Sequence, residues 1–181
     1  MNKGSDLDNM SNIKEKEQLN KIKRSYENYK YVYNSNNSKF IWLGNWMEKE
    51  SIIFKKEVDK KTYIKPNFKR GEIIKVDFGI NVGSELSNTH FAIVLNSDDN
   101  NNVDNITVLP LTSKPGYKRI NLGNLLKPFD RNNKYNKDTF ALITQITTIS
   151  KKRIFKDKIR CYCKKEIMKT ISEEIINYLV K

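Results

Sequence analysis

The stretch Gly71-Glu72-Ile73-Ile74-Lys75-Val76-Asp77-Phe78 sets apolar Ile74, Val76 and Phe78 two residues apart, with charged Lys75 and Asp77 between them. A side-chain period of two belongs to a β-strand with one face on a core. Working outward, Phe91–Asn96 is a short apolar run with a polar end, and Asn105–Thr112 is a second β-rich run. Pro110 inside that run predicts an edge strand or a bulge, because proline has no N–H for a ladder. Ser97–Asn105 is rich in Asp and Asn and predicts a surface loop between the two runs. Ala141–Ser150 alternates again through Ile143, Ile146 and Ile149. Strands this close in sequence, without alternating βα units, predict a small antiparallel barrel. Ile167, Ile171, Ile175 and Leu179 then follow helical spacing, which predicts a C-terminal helix closing the barrel.

Upstream, the period changes. Leu19, Ile22, Tyr26, Tyr29 and Tyr33 recur at alternating steps of three and four, one apolar stripe along a helix. Asn34-Ser35-Asn36-Asn37-Ser38 interrupts it with turn and cap formers, and Ser38 is the expected N-cap of a second helix over Phe40–Phe54, with Trp42 and Trp46 four apart. The expected organisation is a helical hairpin over residues 1–65 and a barrel domain over 66–181. The overall class is mostly β with helices, α+β. Residues 1–65 hold 14 basic and 9 acidic side chains and the remainder 20 and 12, so the arm is no acidic plug for a basic groove.

Across 181 residues, 34 Lys and Arg against 21 Asp and Glu leave a charge of +13. Such a balance favours acidic partners, nucleic acid first among them. Seven glycines form neither GxGxxG nor GxxxxGK[ST], which removes the phosphate-cradling glycine loops. One histidine and two cysteines, Cys161 and Cys163, are too few for a structural zinc site, so no metal and no cofactor is expected. The longest apolar run, Phe40-Ile41-Trp42-Leu43, is far short of the ~20 residues of a membrane span, and Met1–Met10 lacks the apolar stretch of a secretory signal. The expectation is a soluble cytoplasmic protein with reduced thiols.

Four stretches carry the functional information: Lys69-Arg70-Gly71-Glu72-Ile73-Ile74, Gly83-Ser84-Glu85, Thr89-His90-Phe91-Ala92-Ile93-Val94-Leu95, and Thr107-Val108-Leu109-Pro110-Leu111-Thr112-Ser113. In this order and spacing the chain resembles the MazF/PemK/Kid family of toxin endoribonucleases, over about residues 68–180. Gln145-Ile146-Thr147-Thr148-Ile149 is similar to a further strand of that family. The resemblance implies an SH3-like, plasmid-toxin type of barrel, a homodimer, and metal-independent cleavage of single-stranded RNA, neutralised by an acidic antitoxin. It places His90 where the family carries Arg, Phe91 where it carries Pro, and Thr112 at the family's catalytic Thr.

The chemistry at those positions is coherent. Attack by the RNA 2′-hydroxyl needs a base, an acid for the departing 5′-oxygen, and stabilisation of the phosphorane. A histidine with a pKa of about 6.5 suits the first two, though one imidazole cannot be both at one instant. The expected catalytic residues are His90, Thr112 and Arg70. Thr112 and Ser113 would hold the phosphate, and Arg70 or Lys75 would offset its charge. Glu85, which either pairs with a basic neighbour or shapes the RNA entrance, and Gln145 are expected among the RNA-binding residues. Lys151, Lys152 and Arg153, with Lys156, Lys158 and Arg160 nearby, are expected to track phosphates. Phe91, Tyr117 and Phe140 are candidate stacking surfaces. Two other readings share the barrel: a non-catalytic basic module that grips nucleic acid or protein, and a DNA topoisomerase poison.

Overall fold

The computed structural model describes residues 3–59, 66–126, 137–155 and 161–180. It divides into two compact units, Met1–Glu50 and Ser51–Lys181.

In the first unit, α1 (Lys3–Asn34) runs until the Asn-rich segment stops it. A one-turn 3₁₀ helix, Ser38–Phe40, follows. Its cap is Asn37 and not Ser38: the Asn37 side chain accepts from the Lys39 N–H at 3.0 Å. The second helix, α2 (Leu43–Val58), runs across the division at 50/51 and begins three residues later than the apolar spacing predicts, because the 3₁₀ turn takes up Ser38–Phe40.

In the second unit the strands are β1 (Glu72–Asp77), β2 (Thr89–Val94), β3 (Asn105–Thr112), β4 (Arg119–Asn121), β5 (Phe140–Leu142), β6 (Thr147–Ser150) and β7 (Cys161–Tyr162). They form one curled antiparallel sheet in the order β4-β5-β3-β2-β1-β7, with β6 also on β3. The helix α3 (Lys165–Leu179) completes the unit.

The alternation of β1 leads to burial on both sides of the sheet. Ile74, Val76 and Phe78 join Ala92, Val94, Ile106 and Val108 in one apolar cluster. Ile73, Ile93, Leu109 and Leu111 face the other way and meet Ile171 of α3. Strands that read as half-buried are therefore buried on both faces, because α3 covers the second one. Ile171 is fully buried while Leu179 and Ile176 are exposed, so the stripe of α3 leaves the core in its last turns.

Two strand expectations are corrected. β3 is central, pairing β2 through Val108–Pro110 on one side, and β6 then β5 on the other. Pro110 falls in the gap where the second edge passes from β6 to β5, which is how a central strand accommodates it. Ala141–Ser150 is not one strand, since the 3₁₀ turn Ile143–Gln145 divides β5 from β6. Gly71, at φ +83°, starts β1 beneath α3, where an added Cβ would lie 3.3 Å from Met168 Cγ.

Candidate active-site cleft

The loop 79–88 between β1 and β2 fixes the start of β2. Phe78 N–H donates to the Asn88 carbonyl at 3.0 Å, and Asn88 N–H donates back to Gly79 at 2.6 Å. Inside the loop, the Asn81 side-chain amide donates to the carbonyls of Phe78, at 3.1 Å, and Leu86, at 2.7 Å. This closure leaves His90 opposite Val76 at the mouth of the sheet.

The His90 imidazole is half-buried. Its Nδ1 lies 3.2 Å from the Leu111 carbonyl. A carbonyl only accepts, so Nδ1 carries the proton in the neutral ring and Nε2 keeps its lone pair. Phe78 meets the ring edge-on, centroids 6.4 Å apart. Burial is the main influence on its titration and moves the pKa below 6.5; hydrogen bonding to the Leu111 and Ser87 backbone opposes that, and the Lys114 charge adds to it.

His90 lines an open cleft of about 650 Å³. Thr89 and Phe91 of β2, Leu111 and Thr112 of β3, and Ser113 and Lys114 beyond it form one wall. Lys75, Phe155, Leu126 and the segment Lys137-Asp138-Thr139 complete the lining. Thr112 ends its strand in a turn, with its hydroxyl accepting from the Lys114 N–H at 3.3 Å. That turn places Lys114 in the cleft lining. The Lys75 ammonium sits 5.1 Å from the centre of the Phe155 ring, a cation over an aromatic face.

The structure brings His90, Thr112, Ser113 and Lys75 to this cleft and places the other expected residues elsewhere. Glu85, Gln145 and Arg153 line a second hollow of about 550 Å³. Phe78 lines it too, so the two hollows adjoin at the Phe78–His90 pair. Gln145 Oε1 accepts from the Leu86 N–H at 3.2 Å, and Arg153 donates to the Phe78 carbonyl at 2.9 Å. Arg70 lines neither hollow. Its guanidinium donates to the Leu95 carbonyl and, at 2.9 Å, to Ser172 Oγ, tying the start of β1 to α3.

The basic run does not make a single face. Lys151, expected to follow phosphates, is only 1% exposed; its ammonium lies 2.7 Å from Asp99 Oδ1 and 2.9 Å from the Asn100 carbonyl. Lys152 pairs with Glu57 at 2.8 Å and stays partly exposed. The cause is the 3₁₀ turn Lys151–Arg153, which sends successive side chains about 120° apart. Lys156, Lys158 and Arg160 lie outside the described residues. Of the aromatic candidates, Phe91 lines the cleft, Phe140 is half-buried, and Tyr117 is exposed and not among the lining residues.

Cys163 is buried and its thiol is pushed up to about 12, chiefly by burial, which suits an inert side chain. Six cleft residues escaped the sequence reading: Lys114, Leu126, Lys137, Asp138, Thr139 and Phe155. Lys114, two residues beyond Thr112, was within reach of a turn argument. The others come from distant segments that only the fold brings together. Among the described residues no group of three His, Cys, Asp or Glu could hold a metal ion, and no helix is long and apolar enough to cross a membrane.

Residues 69–179 match the family described as PemK-like, MazF-like toxin of type II toxin-antitoxin system. Among solved structures, MazF (Form-I) from Deinococcus radiodurans is similar in fold, with a TM-score of 0.50 at 16% identity, covering 64% of this chain and 99% of that one. No curated protein sequence matches the chain.

Proposed function

Because the chain belongs to the PemK-like, MazF-like toxin family, we propose that it is a metal-independent endoribonuclease acting on single-stranded RNA as the toxin of a toxin-antitoxin pair. The observation that carries this reading is the His90–Leu111 contact, which reserves Nε2 as a base in a cleft rimmed by lysines. Nε2 takes the proton from a 2′-hydroxyl, the 2′-oxygen bonds to phosphorus, and the bond from phosphorus to the 5′-oxygen breaks. Lys114 protonates the departing oxygen, and Lys75 and Lys137 offset the charge on the phosphorane. The hydroxyls of Thr112 and Ser113 hold the phosphate, and Phe155 offers a face for an unpaired base.

Among the described residues, a lining of cations with a single carboxylate, Asp138, supports direct cationic stabilisation of the phosphate rather than a metal bridge. The second hollow, with Glu85, Gln145 and Arg153, continues the RNA path beyond Phe78. Arg70 enters as a positioning residue for β1, and Lys151 leaves the set of RNA contacts. The protein works in the cytoplasm as a homodimer, and an acidic antitoxin neutralises it.

The test is incubation with a long mixed-sequence RNA in excess EDTA, followed by end analysis. Products with 2′,3′-cyclic phosphate and 5′-hydroxyl ends, with single-stranded DNA intact, are expected. A magnesium requirement or 5′-phosphate ends would overturn the mechanism. Intact RNA that is nevertheless bound would favour a non-catalytic basic module, and trapped DNA topoisomerase complexes would favour a poison.

A further inference from the structure

The arm carries an exposed apolar stripe that has no part in the RNA chemistry. From Lys14 to Tyr31 every side chain of α1 is exposed. Leu19, Ile22, Tyr26, Tyr29 and Tyr33 are each 45–64% exposed, although they form one continuous stripe. The steps between them are three, four, three and four, the repeat of a helix-to-helix seam. Glu15 takes the next seam position upstream and ends the stripe there.

The flanks decide what fits. In heptad terms Leu19, Tyr26 and Tyr33 occupy a, and Ile22 and Tyr29 occupy d. The e positions are then Lys16, Lys23 and Lys30, seven residues apart along one edge, while the g positions are Gln18, Ser25 and Val32. Among the described residues those three lysines make no ion pair, whereas Lys21, outside the seam, pairs with Glu17 at 2.9 Å. A second copy of α1 does not complement this edge. Parallel pairing would set Lys against Gln, Ser and Val, and antiparallel pairing would set Lys against Lys. A helix with Glu at g satisfies all three lysines while covering the stripe.

We propose that the Leu19–Tyr33 face of α1 docks an acidic amphipathic helix of a partner protein, with Lys16, Lys23 and Lys30 reading its carboxylates. The experiment uses the full chain and two synthetic three-heptad peptides, both with Leu at a and d, one with Glu at e and g and the other with Lys there. Fluorescence anisotropy should show the acidic peptide binding at least tenfold more tightly than the basic one, and weakening as salt rises. Lys16→Glu/Lys23→Glu/Lys30→Glu should reverse the preference, and Ile22→Asp/Tyr26→Asp should abolish binding of both peptides. Because α1 contributes no buried side chain from Lys14 to Tyr31, circular dichroism should show these variants folded. Equal binding of the two peptides, no binding of either, or an unreversed preference in the triple variant would overturn the proposal. So would sedimentation in which Ile22→Asp/Tyr26→Asp halves the mass of the free protein, since the occupant would then be a second copy.

Discussion

β1 and α1 both announce themselves by regular apolar spacing, yet they meet opposite fates. In β1, Ile73, Ile74 and Val76 are buried on both sides of the sheet, whereas in α1 the Leu19–Tyr33 stripe stands in solvent. Periodicity therefore reports which face wants cover and is silent on whether the same chain supplies it. Where α3 and the curl of the sheet itself are at hand, the apolar face becomes core. On the arm, cover must come from outside.

The predictions press on this contrast, beginning with the largest effect. If chemistry belongs to the covered barrel, His90→Ala should lower the RNA cleavage rate by about 10² to 10⁴ while RNA affinity and Tm stay nearly unchanged. Rate–pH profiles should show an acid limb below 6.5, the side to which burial shifts this imidazole, and the variant should lack it. His90→Arg restores the family's usual residue, and retained cleavage without that limb would mean that two side chains serve one geometry.

Next comes the neighbouring pair Lys151 and Lys152. Lys151→Ala removes the partner of a buried Asp99 and should cost about 3–5 kcal/mol in denaturant unfolding. Lys152→Ala breaks a partly exposed pair and should cost no more than about 1 kcal/mol. Similar costs for the two would contradict the inward path assigned to Lys151.

Of slightly smaller size is the contrast between equivalent apolar residues. Ile93→Ala should destabilise by about 2–5 kcal/mol, because it empties a fully buried position. Ile22→Ala should stay within about 0.5 kcal/mol. A large loss at Ile22 would show that the arm already has cover. In keeping with that, a chain starting at Pro66 should fold with the same strand content and keep cleavage, as circular dichroism and the RNA assay will show. Collapse of that shortened chain would move the 65/66 boundary.

The smallest effect is linkage at His90. Its folded pKa lies below the unfolded value of about 6.5, so the unfolded chain binds more protons between the two. Stability from this group is complete above 6.5 and is lost as pH falls through the folded pKa. His90→Asn, which cannot titrate, should flatten the dependence of unfolding free energy on pH just below 6.5.

Much of this was legible before any coordinates. Period two located β1, a short apolar run and a β-rich run located β2 and β3, helical spacing located α3, and ordered motifs pointed to His90, Thr112 and Ser113, which do share a cleft. Pro110 misled because a rule about single edges cannot see a strand that changes partners. Lys151 misled because charge is visible in sequence while the partner that buries it, Asp99, lies 52 residues away.

By itself, then, the sequence determined where the longer elements lie and the residue types able to act on a phosphate, because both depend on chemistry local to a few positions. Only the tertiary structure decided which of those residues meet. Lys75, Lys114, Lys137 and Phe155 reach one cleft from four separate segments. Tertiary structure likewise set the imidazole tautomer, through a carbonyl on the neighbouring strand, and withdrew Lys151 into the interior. Those outcomes rest on contacts between segments far apart in the chain, where spacing in sequence carries no measure of distance in space.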